Sequence, residues 1–263
     1  MGRSMLEFNN EALNKLKECK NNIDHSIPSI KIGNIWGGAK TKEWFDYFET
    51  DWTLNNLNNN PIYRYDLLTT IDQIKKNKVF DIFIVREFIV KIFAWGGMTK
   101  QRNRGKLALA YIDRYEDICK DLLNGKLTNF TAYKHFFELH NHKNDNFKMK
   151  GIGPAFYTKL IFFLGNHEGL IMDQWTAKSV NLICNDKIIK FDGDTVSKRN
   201  NDNVYKAFIE IIKKLQIELA MDSLSETEAL IFSTSRKVNK SELSFEKNLI
   251  ASEWRNFVIE NYK

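Results

Sequence analysis

Proline is scarce, with three residues in 263, a content that helices tolerate better than a loop-rich β protein would. Cysteine is equally scarce. Cys19, Cys119 and Cys184 are odd in number and far apart, which suggests neither a disulfide framework nor a zinc site and excludes a four-cysteine iron–sulfur loop. No run approaches the ~18 apolar residues that a membrane span needs. The N-terminal stretch carries no secretory pattern, so a reducing cytoplasm is the expected setting, with no membrane partner. What is present is ordinary for a globular chain: 43% hydrophobic and 27% charged residues. The length suits one large domain or two small lobes. Basic residues exceed acidic ones, giving a net charge of +6 and a pI near 9.0. That balance favours a polyanionic partner, although many basic proteins bind none.

Periodicity is helical in most long segments. Residues 5–20 read as an amphipathic helix, and 80–93 as a buried helix that stops at Gly96-Gly97. Further helices are expected at 105–123, 131–141, 155–165, 174–184, 203–220 and 225–233. Segments 186–201 and 234–244 read as exposed connections. With no βαβ alternation, the expected class is all-α, with minor strands at 30–35 and 187–191. The oligomeric state is not encoded in any pattern found.

The most informative stretch is Lys148-Met149-Lys150-Gly151-Ile152-Gly153-Pro154-Ala155, followed by an apolar helix. Two glycines around one apolar residue let the chain turn tightly between helices and expose backbone N–H groups. Pro154 suits a first helical position, where its missing N–H costs nothing. Such a turn at a helix N-terminus makes a phosphate site, and Lys148 and Lys150 add charge beside it. The plainer reading is a helical turn. Twenty residues after Gly153 stands Asp173, in Ile171-Met172-Asp173-Gln174-Trp175-Thr176, at the start of the next helix. By itself Asp173 reads as an N-cap, a role compatible with chemistry because a cap fixes the side chain's direction.

This hairpin and aspartate resemble those of the helix–hairpin–helix DNA glycosylases. The sequences GIGPAFYTKLIFFL and LIMDQWTAKSV are similar to the bacterial 8-oxoguanine-glycosylase-like branch, some members of which defend against phages by excising bulky modified cytosines. The likeness is strongest over 148–183 and weaker at 80–120 and 226–236, while residues 1–79 match nothing placed. It implies two helical lobes with DNA in the cleft between them. Residues 81–172 would form the central lobe, and 5–80 with 173–263 the other. It also implies that Asp173 stabilises the oxocarbenium-like sugar and guides the attacking water. Bifunctional relatives carry a Schiff-base lysine two residues after the second hairpin glycine. Here that position is Ala155, which implies a monofunctional enzyme that leaves an intact abasic strand. Lys159, one helical turn on, lies on roughly the same face. Its expected role is a DNA phosphate or solvent contact, with a nucleophilic role as the alternative.

To reach a base in duplex DNA, such an enzyme flips the nucleotide and fills the gap. The resemblance points to the turn after the 80–93 helix as the wedge, with Met98, Gln101, Arg102, Asn103 and Arg104 as candidates. A helix C-cap followed by a solvated basic turn is the competing reading. Trp95, Trp175 and Phe232 are candidate stacking platforms for the flipped base, although core packing is the more frequent role for each. The histidines form no recognisable metal pattern, and Asp192-Gly193-Asp194 reads as a turn. No metal or cofactor is expected beyond a monovalent cation on the hairpin carbonyls, a family feature. The substrate implied is a modified, glucosylated cytosine in phage defence. The alternatives are 8-oxoguanine in repair, or a non-catalytic helix–hairpin–helix DNA-binding module.

Overall fold

The computed structural model describes residues 7–21, 37–77, 81–98, 103–166, 168–232 and 245–262. Helices dominate. The N-terminal part holds α1 (Asn10–Asn21), a two-stranded antiparallel sheet of β1 (Gly37–Lys40) and β2 (Pro61–Tyr63), α2 (Thr41–Asp46) and α3 (Arg64–Asn77). The middle holds α4 (Ile82–Trp95), α5 (Arg104–Ala110), a 3-10 turn at Ile112–Arg114, α6 (Glu116–Leu123), α7 (Asn129–His140) and α8 (Pro154–Leu164). Then come α9 (Gln174–Ile183), a small hairpin of β3 (Phe191–Asp192) and β4 (Thr195–Val196), α10 (Asp202–Glu218), α11 (Leu224–Phe232) and α12 (Phe245–Asn261). The class is all-α, as expected.

Helix starts follow local rules. Asp81, Thr128 and Asn201 each accept a hydrogen bond from the backbone N–H three residues on, satisfying one of the unpaired donors at a helix N-terminus. α8 is the centre of the packing. Every residue from Tyr157 to Leu164 is buried, as befits a helix that is apolar all round. It packs against α3, α4, α6 and α7, while α9 packs against α1, α10, α11 and α12. The buried apolar residues join in one continuous cluster.

Two expectations are corrected. The single helix expected at 105–123 is broken at Tyr111–Tyr115, where the buried Tyr115 hydroxyl donates back to the carbonyl of Ala108 at 2.8 Å. That bond draws the chain into a corner that local propensity does not announce. The segment 186–201 is largely exposed, as expected, and it is also ordered. Asp192-Gly193-Asp194 forms its hairpin turn, with Gly193 at φ +61°, and buried Asn200 bonds both the N–H and the carbonyl of Lys190. The expected strand at 187–191 shrinks to Phe191–Asp192. The one expected at 30–35 and the connection at 234–244 lie outside the described residues.

Candidate active site

The hairpin between α7 and α8 is shaped by one glycine more than the other. Gly151 sits at φ +83°, a left-handed conformation that side chains resist. A Cβ there would stand 2.3 Å from the amide nitrogen of Ala108 and 2.5 Å from the carbonyl oxygen of Arg104. The hairpin therefore lies directly on the backbone of α5. Gly153 is the N-cap of α8 in extended conformation, and a Cβ there would meet nothing closer than His140 at 3.9 Å. Pro154 takes the first helical position. Lys148 is half-buried, 3.7 Å from Asp145, and Lys150 holds its ammonium 5.2 Å from the centre of the Tyr111 ring.

Asp173 is the N-cap of α9 and is 8% exposed. Its Oδ1 accepts the backbone N–H groups of Trp175 at 2.8 Å and Thr176 at 3.1 Å. Its own N–H donates to the Thr176 hydroxyl at 3.0 Å, closing a capping box. The preceding segment is pinned as well. The N–H of Met172 donates to Thr158 of α8 at 3.1 Å, and the Tyr205 hydroxyl donates to the carbonyl of Leu170 at 3.0 Å. These bonds fix the carboxylate against α8 while Oδ2 takes no hydrogen bond from any described residue.

Lys159 is the main departure from expectation for a DNA contact. It is 6% exposed, so its side chain lies almost wholly in the interior. It folds back along α8, as helical side chains do, and donates to the carbonyl of Ala155 at 3.1 Å. Gly96 makes room for it, because a Cβ there would stand 2.8 Å from the Lys159 Cδ. Burial holds the pKa of Lys159 below the usual lysine value. Asp173 and Glu228 pull the other way, and Arg64 adds to the lowering.

Arg64 and Glu228 had no role assigned from sequence. They form an ion pair at 2.6 Å, nearly sealed from solvent. Arg64 also donates to Ser225 at 3.0 Å and lies 4.2 Å above the Phe162 ring. The pair ties α3 to α11 across α8. Burial raises the Glu228 pKa, against the pull of Arg64. A glutamate inside the apolar run of α11 is the only sequence signal for this pair, and Arg64 carries none.

The remaining candidates divide. Asn103, left-handed at φ +53°, and Arg104 are exposed at the start of α5, directly beside the hairpin. Met98 departs from its expected wedge role. It is buried, and its carbonyl accepts the Trp44 indole N–H at 2.8 Å. Gln101 and Arg102 lie outside the described residues. Trp95 is buried edge-on against Phe163 at 4.9 Å, which is core packing rather than an open platform. One face of Trp175 is covered by the Arg255 guanidinium, 3.4 Å from the ring centre. Phe232 is half-buried at the end of α11.

A family model described as "Putative 8-oxoguanine DNA glycosylase OGG-like protein" matches residues 39–232. The chain belongs to this family. The matched span of this OGG-like protein takes in Arg64, the hairpin, Lys159, Asp173 and Glu228. It also brings residues 39–79, which the sequence left unplaced, into the family's extent. No curated protein and no solved structure matches the chain. The family implies DNA as partner and glycosylase chemistry. Among the described residues no helix is long and apolar enough to cross a membrane, and no three of His, Cys, Asp or Glu gather as for a metal ion.

Proposed function

We propose that this protein is a DNA glycosylase that flips a modified base out of duplex DNA and cleaves its N-glycosidic bond, with Asp173 as the catalytic carboxylate. In this reading DNA lies in a cleft between a central lobe (81–172) and a lobe of the two chain ends (5–80 with 173–263). The hairpin amides at Gly151 and Gly153 grip a phosphate, helped by Lys148 and Lys150. Asn103 and Arg104 reach toward the gap in the stack, and Trp175 and Phe232 are the aromatic candidates for stacking on the flipped base. The observation that carries the reading is the division of labour within one carboxylate. Oδ1 is held by two backbone amides, which fixes direction, and Oδ2 is left open. As the base departs, positive charge develops on the sugar, and a fixed carboxylate in a poorly hydrated site stabilises it strongly. The same oxygen can orient or deprotonate a water. A base-release assay on a panel of modified duplexes tests this. Release that disappears in Asp173→Asn supports it, whereas DNA binding with no release from any substrate favours the non-catalytic module.

The substrate we favour is a bulky, glucosylated cytosine in phage defence, supported by the likeness of the hairpin-to-aspartate segment to a branch that includes defence enzymes. Excision of 8-oxoguanine in repair is the alternative, and the same panel separates the two. A monovalent cation on the hairpin carbonyls would be structural only. The carbonyl of Ile152 already faces His140, and no step depends on the ion.

Ala155 supports hydrolysis with water as nucleophile, hence a monofunctional enzyme. One observation favours a second reading, in which an amine attacks the sugar. Lys159 delivers its buried ammonium to the level of Ala155, and burial favours the neutral, nucleophilic form. Borohydride traps an imine between protein and DNA, so an adduct in the wild type that is lost in Lys159→Ala would select the second reading.

A further inference from the structure

The β3–β4 hairpin and the turn after it are bonded to the end of α7, where the helix–hairpin–helix motif begins, although α8 and α9 separate them in sequence. Their backbone is unusually well anchored for an exposed segment. Asn200, fully buried, bonds the N–H and carbonyl of Lys190 and also the carbonyl of Ser197. Asn181 of α9 does the same for Ile189. Two groups of α7 complete the mooring: the Tyr133 hydroxyl donates to the carbonyl of Asn200 at 2.8 Å, and the Asn141 amide to that of Lys198 at 3.1 Å.

The platform displays charges of both signs: Lys187, Lys190, Lys198 and Arg199 with Asp186, Asp192 and Asp194. Arg199 is paired with Asp192 at 2.7 Å, and Lys178 with Asp194 at 3.1 Å. Lys198 is exposed, and among the described residues its ammonium makes no ion pair or hydrogen bond. It also shares a neighbour with the hairpin. His140, at the end of α7, lies under Gly153 and feels the charges of both Lys198 and Lys148. Burial, then those two lysines, hold its pKa below the ordinary value, opposed by the carbonyl of Ile152. Two acids stand beside this group: Asp145, paired loosely with Lys148, and Asp192, whose pKa is held down by the Ser197 hydroxyl and then by Arg199 and Lys198.

We infer that the 186–200 segment is a second grip on the DNA backbone, with Lys198 contacting a phosphate next to the one held by the hairpin. Two lysines from separate segments are set at the C-terminal end of α7: the Lys198 carbonyl accepts from the Asn141 amide, and Met149, next to Lys148, donates to the carbonyl of Leu139. A polyanion lying across that end would meet both cations. The rigid mooring matters because a preordered cation loses less freedom on binding than one on a loose loop. Backbone contacts of this kind fix register without reading sequence. The inference rests on the DNA-binding part of the proposed function.

The test is fluorescence anisotropy of a labelled duplex, titrated with salt, using the full chain. Each phosphate contact contributes about 0.9 to the slope of log affinity against log salt. Lys198→Ala is expected to lower that slope by about 0.9, so that a fourfold rise in salt weakens binding about 3.5-fold less than in the wild type. Lys198→Arg should keep the wild-type slope. Lys148→Ala should lower it similarly, the double variant by about twice as much, and Lys213→Ala on α10 not at all. Melting temperatures of all variants should match the wild type. An unchanged slope in Lys198→Ala alongside a reduced one in Lys148→Ala would overturn the second grip and leave the hairpin's role intact. A wild type that binds no duplex DNA would overturn both this inference and the function on which it rests.

Discussion

Replacing Gly151 with alanine should damage this protein far more than the same change at Gly153, for reasons worked from two local geometries. At Gly151 the backbone is left-handed, at φ +83°, and an L-residue there costs roughly 1–2 kcal/mol. The new methyl would also stand 2.3 Å from the Ala108 nitrogen and 2.5 Å from the Arg104 oxygen. Both are backbone atoms of α5, so no rotamer change relieves the overlap, and forced overpacking adds roughly 1–3 kcal/mol. The sum is about 2–5 kcal/mol, and at roughly 2–4 °C per kcal/mol for a chain of this size the melting temperature should fall by roughly 4–20 °C. Gly153 is extended and has open space as far as His140 at 3.9 Å, so alanine there should cost less than about 1 kcal/mol. Thermal melts by circular dichroism give the stability, and duplex anisotropy gives the grip. Gly151→Ala should lose affinity as the hairpin lifts from α5. If Gly151→Ala melts and binds like the wild type, or if Gly153→Ala is the more damaged, the packing of the hairpin on α5 is not what shapes it.

Asp173→Asn keeps an equally good cap and removes the charge, so it should retain fold and DNA affinity while slowing single-turnover base release by roughly 10²–10³-fold. Full turnover would refute the assignment. A monofunctional enzyme should give no borohydride-trapped adduct and leave product DNA uncut until alkali is added. A wild-type adduct absent from Lys159→Ala would show the contrary. Arg64→Leu leaves Glu228 buried without its partner and should cost roughly 3–5 kcal/mol, more than the double change Arg64→Leu/Glu228→Leu. Equal melting curves for the two would contradict this. His140 has a folded pKa below its ordinary 6.5, so the unfolded chain binds the proton more readily. Stability should therefore fall as pH drops below about 6.5, and denaturant titrations of His140→Gln should show that slope flattened.

The parts of the site that sequence made legible are those written in neighbouring residues. The turn at Gly151–Pro154 and the cap at Asp173 follow from backbone rules that operate over a few positions, and their spacing is a count along the chain. Burial is a different matter. Met98 and Trp95 stand beside Gly96-Gly97 in what reads as an exposed turn, yet both pack inward, because α2 brings Trp44 over Met98 and α8 brings Phe163 against Trp95. Lys159 looked outward for the same reason. Nothing on α8 itself reveals that Gly96, more than sixty positions earlier, leaves a channel for its side chain. Arg64 and Glu228 meet across 164 positions, a pairing set by the packing of α3 and α11 on α8 and by no local pattern.

The buried charges also explain how the carboxylate keeps its field. Four ionisable side chains, Arg64, Lys159, Asp173 and Glu228, act on one another in the interior, and buried charges persist only when compensated. Arg64 and Glu228 achieve this by direct contact. Lys159 and Asp173 do not. Lys159 donates to its own helix, Asp173 accepts from backbone amides, and the two form no ion pair. Had they touched, the attraction between them would hold Asp173 toward the ammonium and offset its field at any cation nearby. Kept apart, Lys159 compensates the carboxylate at a distance while Oδ2 stays directed elsewhere. A cationic sugar placed at that oxygen would then meet a negative charge already fixed in position, with no ion pair to break before it can act. The Arg64–Glu228 clamp matters to this arrangement because it packs against α8, the helix that carries Lys159. A variant that loosened the clamp and let the ammonium swing onto Asp173 would slow base release without touching the substrate.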